Sequence, residues 1–128
     1  MADIYVEENT DITITAFRGA VCYKDVIWRQ NEAPVDLSSA TAEMKVRTIT
    51  YPTVSSPSTT MGAVIFTITN SNYILLGGTT GRIEIVIPTA TVNTASSGKY
   101  YYDLEVTISG EKFKPLHGDF IVKAGINT

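Results

Sequence analysis

The sequence predicts an all-β protein, a single antiparallel sandwich of two sheets, and three observations carry that prediction. Period-two alternation of apolar and polar residues recurs along the 128-residue chain, placing one face of each strand against a core and the other toward water. Turn-forming residues interrupt these runs at short intervals. No stretch carries the 3.6-residue apolar period of a full amphipathic helix. With 44% hydrophobic and 18% charged residues, the chain is apolar enough to fold alone, and at this length it buries roughly two thirds of its unfolded surface around one core.

The first run is Asp11 to Phe17, where Ile12, Ile14 and Ala16 alternate with Asp11, Thr13 and Thr15 before Arg18-Gly19 breaks the pattern. The second extends from Ala20 to Arg29. Cys22, Val26 and Trp28 share its inner face with Lys24 as the polar exception. Val21, Tyr23 and Ile27 make the opposite face unusually apolar for solvent, so both faces are expected to be covered there. Gln30 to Pro34 reads as a turn, and the third strand alternates Ala40, Ala42, Met44 and Val46 with Thr41, Glu43, Lys45 and Arg47. Tyr51 to Gly62 is rich in Ser, Thr and Pro and reads as a loop.

A fourth strand follows, with Val64, Phe66 and Ile68 opposite Ala63, Ile65 and Thr67. Tyr73 to Leu76 adds a short strand, Gly77 to Gly81 a turn, and Ile83, Ile85 and Ile87 a further alternating run that Pro88 ends. Thr91 to Ala95 can form a single helical turn. The longest run sets Tyr100, Tyr102, Leu104, Val106 and Ile108 against Tyr101, Asp103, Glu105 and Thr107. Ser109-Gly110 is a hairpin turn, and Phe113 to Lys123 returns with Leu116, Gly118, Phe120 and Val122 in phase. About seven to eight strands in this length is the count of an immunoglobulin-like sandwich. Residues 1–10 form an N-terminal arm, 11–124 the sandwich and 125–128 a C-terminal tail.

Catalysis needs titratable groups of matched pKa converging on a cleft, and the patterning supplies none. Asp103 and Glu105 lie two apart on an outward face, as solvated carboxylates do. His117 is out of phase with its inward neighbours and is expected to be exposed. There is no Gly-x-Ser-x-Gly elbow, and Gly77, Gly78 and Gly81 lack the lysine and helix start of a phosphate loop. Cys22 is the one cysteine, which excludes an internal disulfide and a multi-cysteine metal site and fits a small buried side chain. No enzyme activity, cofactor or metal is expected.

Ten Lys and Arg against thirteen Asp and Glu give a net charge of −3. The basic residues are scattered, which argues against nucleic acid as a partner. The first ten residues have no basic and apolar leader pattern, and no apolar run approaches the ~20 residues of a membrane span, so a soluble chain made in the cytoplasm is expected. Trp28 is assigned to the core. Tyrosines are enriched at protein interfaces, and the seven present make surface contact the expected function. The candidate contact residues are Ile4, Tyr5 and Val6 in the arm, Tyr51 in the loop, and Tyr101 with Asp103 on the outward face of the longest strand. The arm is expected to serve assembly while contributing little to the melting point.

The segment Pro34-Val35-Asp36-Leu37-Ser38-Ser39-Ala40-Thr41, followed by the strand Ala42 to Arg47, resembles a recurrent pattern of bacteriophage tail and baseplate proteins. That pattern reads Pro-apolar-Asp-Leu-Ser/Thr-Gly-Ala/Tyr-Thr before an alternating strand, and Ser39 here replaces its glycine. Asp11 to Ile14, Arg18-Gly19 and Val26 to Arg29 fit its opening. Thr80 to Pro88 and Gly98 to Val106 fit its later Gly-apolar-x-apolar, Gly-x-Tyr and Leu-Glu-apolar elements.

Each element is weak by itself, and their shared order over nearly the whole chain makes the likeness. It implies an immunoglobulin-like sandwich similar to the N-terminal domain of baseplate upper proteins. It also implies a place in the virion after synthesis in the host cytoplasm, with other virion proteins and further copies of the chain as partners. The resembling domains commonly precede a receptor-binding or trimerising region, whereas this chain ends five residues after Lys123. An adaptor of tail, baseplate or neck is therefore expected. A capsid decoration protein and a carbohydrate-binding adhesin are the alternatives.

Overall fold

The alternating runs become strands whose apolar members turn to one side. A computed structural model describes residues 4–50 and 60–125. Its strands are β1 Tyr5–Val6, β2 Thr10–Asp11, β3 Ile14–Phe17, β4 Cys22–Gln30, β5 Ala33–Pro34 and β6 Thr41–Thr50, followed by β7 Thr60–Thr69, β8 Ile74–Leu76, β9 Arg82–Ile87, β10 Gly98–Ile108 and β11 Glu111–Lys123. One helical turn, α1, spans Thr89–Val92.

The first sheet has the order β1-β4-β9-β8, with β5 paired to β4 as a hairpin, and the second has the order β2-β11-β10-β6-β7, with β3 also on β11. In immunoglobulin lettering these are A-B-E-D and C-F-G, with β7 as an extra strand beyond C and the first strand divided between both sheets. The fold is an all-β, immunoglobulin-like sandwich.

Four details differ from the sequence-based expectation. First, the sheets are mixed: β1 runs parallel to β4, while β2 and β3 run parallel to β11. Alternation reports which face a residue takes but is blind to strand direction. Second, residues 5–6 and 10–11 belong to the sandwich, so its edge does not fall at residue 11. Ile27 N–H donates to the Ile4 carbonyl at 2.8 Å, Asn9 N–H to the Lys114 carbonyl at 2.8 Å and Ile12 N–H to the His117 carbonyl at 2.9 Å. Third, β7 begins at Thr60, opposite Thr50 of β6, so residues 60–62 of the expected loop are strand. Fourth, the helical turn starts at Pro88, whose carbonyl receives the N–H of Val92 at 3.1 Å, and it places Val92 and Ala95 in the core.

Turn chemistry fixes the registers. Asn31 and Glu32 both take positive φ (53° and 66°), as do Ser109 and Gly110 (52° and 82°), the geometry of two-residue turns whose twist matches the strands they join. In β11, Pro115 has no N–H for the ladder and falls where the pairing with β10 shifts register between Leu104 and Val106, a bulge that removes the conflict. Gly118 (φ +147°) lets the start of the chain pass close by, since a Cβ there would stand 2.6 Å from the Ile12 carbonyl oxygen.

The core lies between the sheets. Trp28 is fully buried and tilts against Phe113 with ring centroids 5.6 Å apart. Phe120 packs edge-on to Phe66 and Tyr102, and the Ile83, Ile85 and Ile87 ladder is fully buried. The Tyr102 hydroxyl donates to the Ile12 carbonyl at 2.6 Å, so a buried phenol finds a partner while tying the chain's start to the second sheet.

Candidate interaction surface

The alternation that buries one side of β4 and β9 presents the other side outward. Cross-strand pairing aligns these outward positions into rows: Tyr23 with Val86, Asp25 with Glu84 and Ile27 with Arg82. Leu75 of β8 continues the Glu84 row, and Tyr5 of β1 lies beside Ile27. Val21 precedes β4 in phase with Tyr23, and Tyr73 precedes β8, its carbonyl accepting the Val86 N–H at 2.8 Å.

Exposed large apolar side chains concentrate here. Tyr5 (51%), Val21 (58%), Tyr23 (56%), Tyr73 (42%) and Leu75 (57%) all stand on or beside this outer face, whereas Phe17 and Val64 are exposed elsewhere. An apolar cluster on an otherwise complete fold marks an interaction site more clearly than scattered exposed residues do. The charges within it are internally engaged: Arg82 pairs with the Asp25 carboxylate, and the Arg29 guanidinium lies 4.0 Å over the Tyr5 ring. Partial desolvation holds the Tyr23 phenol above its ordinary pKa, reinforced by Asp25 and by Glu84, to which the hydroxyl donates.

The outer face of the second sheet has a different character. Ion pairs cross it between Lys114 and Asp103 (3.2 Å), Lys99 and Asp119 (3.4 Å), Lys45 and Glu43 (3.4 Å) and Lys112 and Glu105 (3.6 Å). The Tyr101 hydroxyl meets His117 Nδ1 at 3.3 Å, and His117 Nε2 lies 3.1 Å from the Asn9 carbonyl. Burial, with Asp103 and Asp11 nearby, raises the Tyr101 pKa. These polar groups pair with one another on this face.

The sequence candidates therefore separate. Tyr5 joins the apolar outer face, and Ile4 precedes it at the sheet's edge, 40% exposed. Val6 is a core residue at 1% exposure, because parallel pairing sets it beside Trp28, and this corrects its place among the contact residues. Tyr51 lies outside the described residues. Tyr101 and Asp103 are half-buried and already bonded, and His117, expected to be exposed, is half-buried with both ring nitrogens engaged.

The apolar character of Val21 and Tyr23 is legible in the sequence. Tyr73, Leu75 and Val86 are not, because β8 is too short to show alternation and Val86 shares its run with the isoleucine ladder. Cys22 is buried, and desolvation pushes its thiol above the ordinary range, outweighing the opposing charge of Lys24, which leaves it a packing residue. An open groove lined by Thr41, Glu43, Asn70, Glu105 and Lys112, and another lined by Leu37, Ser38, Ile74 and Gly78, carry no aromatic side chain. Among the described residues no cluster of His, Cys, Asp and Glu is arranged to hold a metal, and no helix is long and apolar enough to cross a membrane.

No family model matches the chain, and no curated protein matches it. Among solved structures, the N-terminal domain of phage TP901-1 ORF48 overlaps it with a TM-score of 0.48 at 8% identity, covering 96% of this chain and 99% of that one. The extracellular domain of the voltage-gated sodium channel beta4 subunit overlaps at 0.40 with 12% identity, covering 91% and 93%. The ZIG-8–RIG-5 IG1-IG1 heterodimer gives 0.38 and 12%, covering 90% and 84%. Overlaps this distant say nothing about what the chain binds.

Proposed function

We propose that the chain is a non-catalytic structural protein of a bacteriophage particle, an adaptor of the tail, baseplate or neck, and that it assembles with other virion proteins through the outer face of the β1-β4-β9-β8 sheet. The observation that carries the binding role is the gathering of Val21, Tyr23, Tyr73 and Leu75 on one exposed face. Such a face stabilises a complex by losing water. The ordered elements from Asp11 to Val106 support the phage setting.

Strand edges are poorer candidates. β8 has three residues and β1 two, while the pairing of β7 with β6 shifts register between Val46 and Arg47 and between Arg47 and Ile49 of β6. Short strands and bulges are the features that keep sheet edges from pairing with other chains. Purified phage particles assembled with the chain carrying a label on its C-terminus should hold it in fixed stoichiometry at one location. Recovery only in the particle-free fraction would overturn the virion role.

A further inference from the structure

We propose that residues 4–17 are an exchangeable strand: on assembly they leave their own sandwich and fill the same place in a second copy, which returns its own. This contact is separate from the apolar outer face, so the two readings stand or fall independently. The first strand of the chain is split between the sheets, with β1 at one end of the first sheet and β2 and β3 along β11 at the edge of the second. A segment lying at two edges can be withdrawn without breaking the pairing between the strands that remain.

The place it occupies is built for this sequence. Val6, Ile14 and Ala16 fill the core. Position 118 is a glycine where Ile12 passes, and the Ile12 carbonyl accepts the Tyr102 hydroxyl at 2.6 Å while its N–H donates to the His117 carbonyl. The Glu8 carboxylate accepts the Lys114 N–H at 3.1 Å, and the Thr15 carbonyl faces the Cys22 thiol at 3.9 Å. These partners lie in β4, β10 and β11, all beyond the Arg18–Val21 connection. A strand arriving from a second copy meets the same ones.

Because those bonds are common to both forms, the connection decides between them. Gly19 has φ 89° and the Ala20 N–H returns to the Phe17 carbonyl at 3.1 Å, a turn that suits glycine and strains a branched side chain. Asn93 Oδ1 holds it closed by accepting the Gly19 N–H at 2.8 Å. On either side of the turn Phe17 and Val21 are 45% and 58% exposed. When the turn opens, β3 runs on toward β4 and the connections of two copies lie antiparallel about a two-fold axis, which sets these apolar side chains against those of the copy. Their loss of water offsets the bond to Asn93. A short tether keeps a chain's own strand at an effective concentration on the order of millimolar. Exchange therefore belongs to the crowded particle and to concentrated protein, and the dilute chain stays closed.

The test uses the full chain carrying Thr15→Cys and Ile121→Cys, at Cα partners of β3 and β11, in a Cys22→Ala background. The chain is refolded from urea at about 1 mM, separated by gel filtration and oxidised, and its covalent species are read on a denaturing, non-reducing gel. The expected result is a dimer fraction whose disulfides join two chains, beside a monomer fraction linked within itself. Tyr5→Cys with Ile27→Cys, at partners of β1 and β4, reads the same exchange at the other sheet should the first variant fail to fold. Gly19→Val should raise the dimer share severalfold and Phe17→Glu should lower it, while Leu75→Glu should leave it unchanged. Absence of a dimer fraction from both cysteine variants, a dimer whose chains are linked only within themselves, or a dimer abolished by Leu75→Glu overturns the exchange. Exclusion of Leu75→Glu from particles whose chains do not exchange would refute the exchange and leave the outer face as the assembly surface.

Discussion

Tyr102 concentrates several roles in one side chain. Its ring fills the core against Phe120, and its hydroxyl spends its proton on the Ile12 carbonyl. Burial, aided by Asp11 and Tyr101, pushes its pKa well above the ordinary tyrosine value. The folded chain thus keeps a proton that the unfolded chain releases above about pH 10. Stability from this group is complete below that pH and falls as pH rises further. Tyr102→Phe should cost about 1 kcal/mol at neutral pH, the worth of one buried hydrogen bond, and should reduce the alkaline loss; urea titrations at pH 7 and pH 10.5 measure both. The inward phase of Tyr102, Trp28 and Cys22 is legible in the sequence because alternation determines which face a residue takes. The bonding of Tyr101 and Asp103 is not, because His117 and Lys114 come from a neighbouring strand whose register a bulge at Pro115 sets.

At the scale of elements, the long strands β4, β6, β9, β10 and β11 are readable because each carries enough alternating positions to define a face. The two-residue strands β1 and β2 carry too few. They hold the start of the chain by backbone bonds and by one buried side chain, Val6, and no pattern within Ile4–Val6 distinguishes that from a free arm. The consequence for deletion reverses the expectation drawn from sequence. Removing residues 1–10 strips β1 from β4, exposes the core at Trp28 and leaves the Lys114 carbonyl without its partner. A loss of about 2–3 kcal/mol, a fall of roughly 10 °C in Tm, is expected by calorimetry. An unchanged Tm would show that these contacts contribute nothing to stability.

For the whole molecule, the two outer faces divide the surface by chemistry. One is a lattice of ion pairs between lysines and carboxylates, each worth little and readily solvated. The other presents tyrosine, leucine and valine around one internally paired cluster of charges. The fold class was open to inference from patterning, whereas the division between faces depends on which strands become neighbours, a property of topology. Because the cluster lies outside the core, its residues are free to serve contact at small cost to the fold: Leu75→Glu should change stability by no more than about 0.5 kcal/mol. The most direct test of assembly through this face is hydroxyl-radical footprinting of the tyrosines in the free chain and in its assembled form. Tyr23 and Tyr73 should lose most of their reactivity on assembly while Tyr101 keeps its own; equal labelling of Tyr23 and Tyr73 in both states would contradict the account.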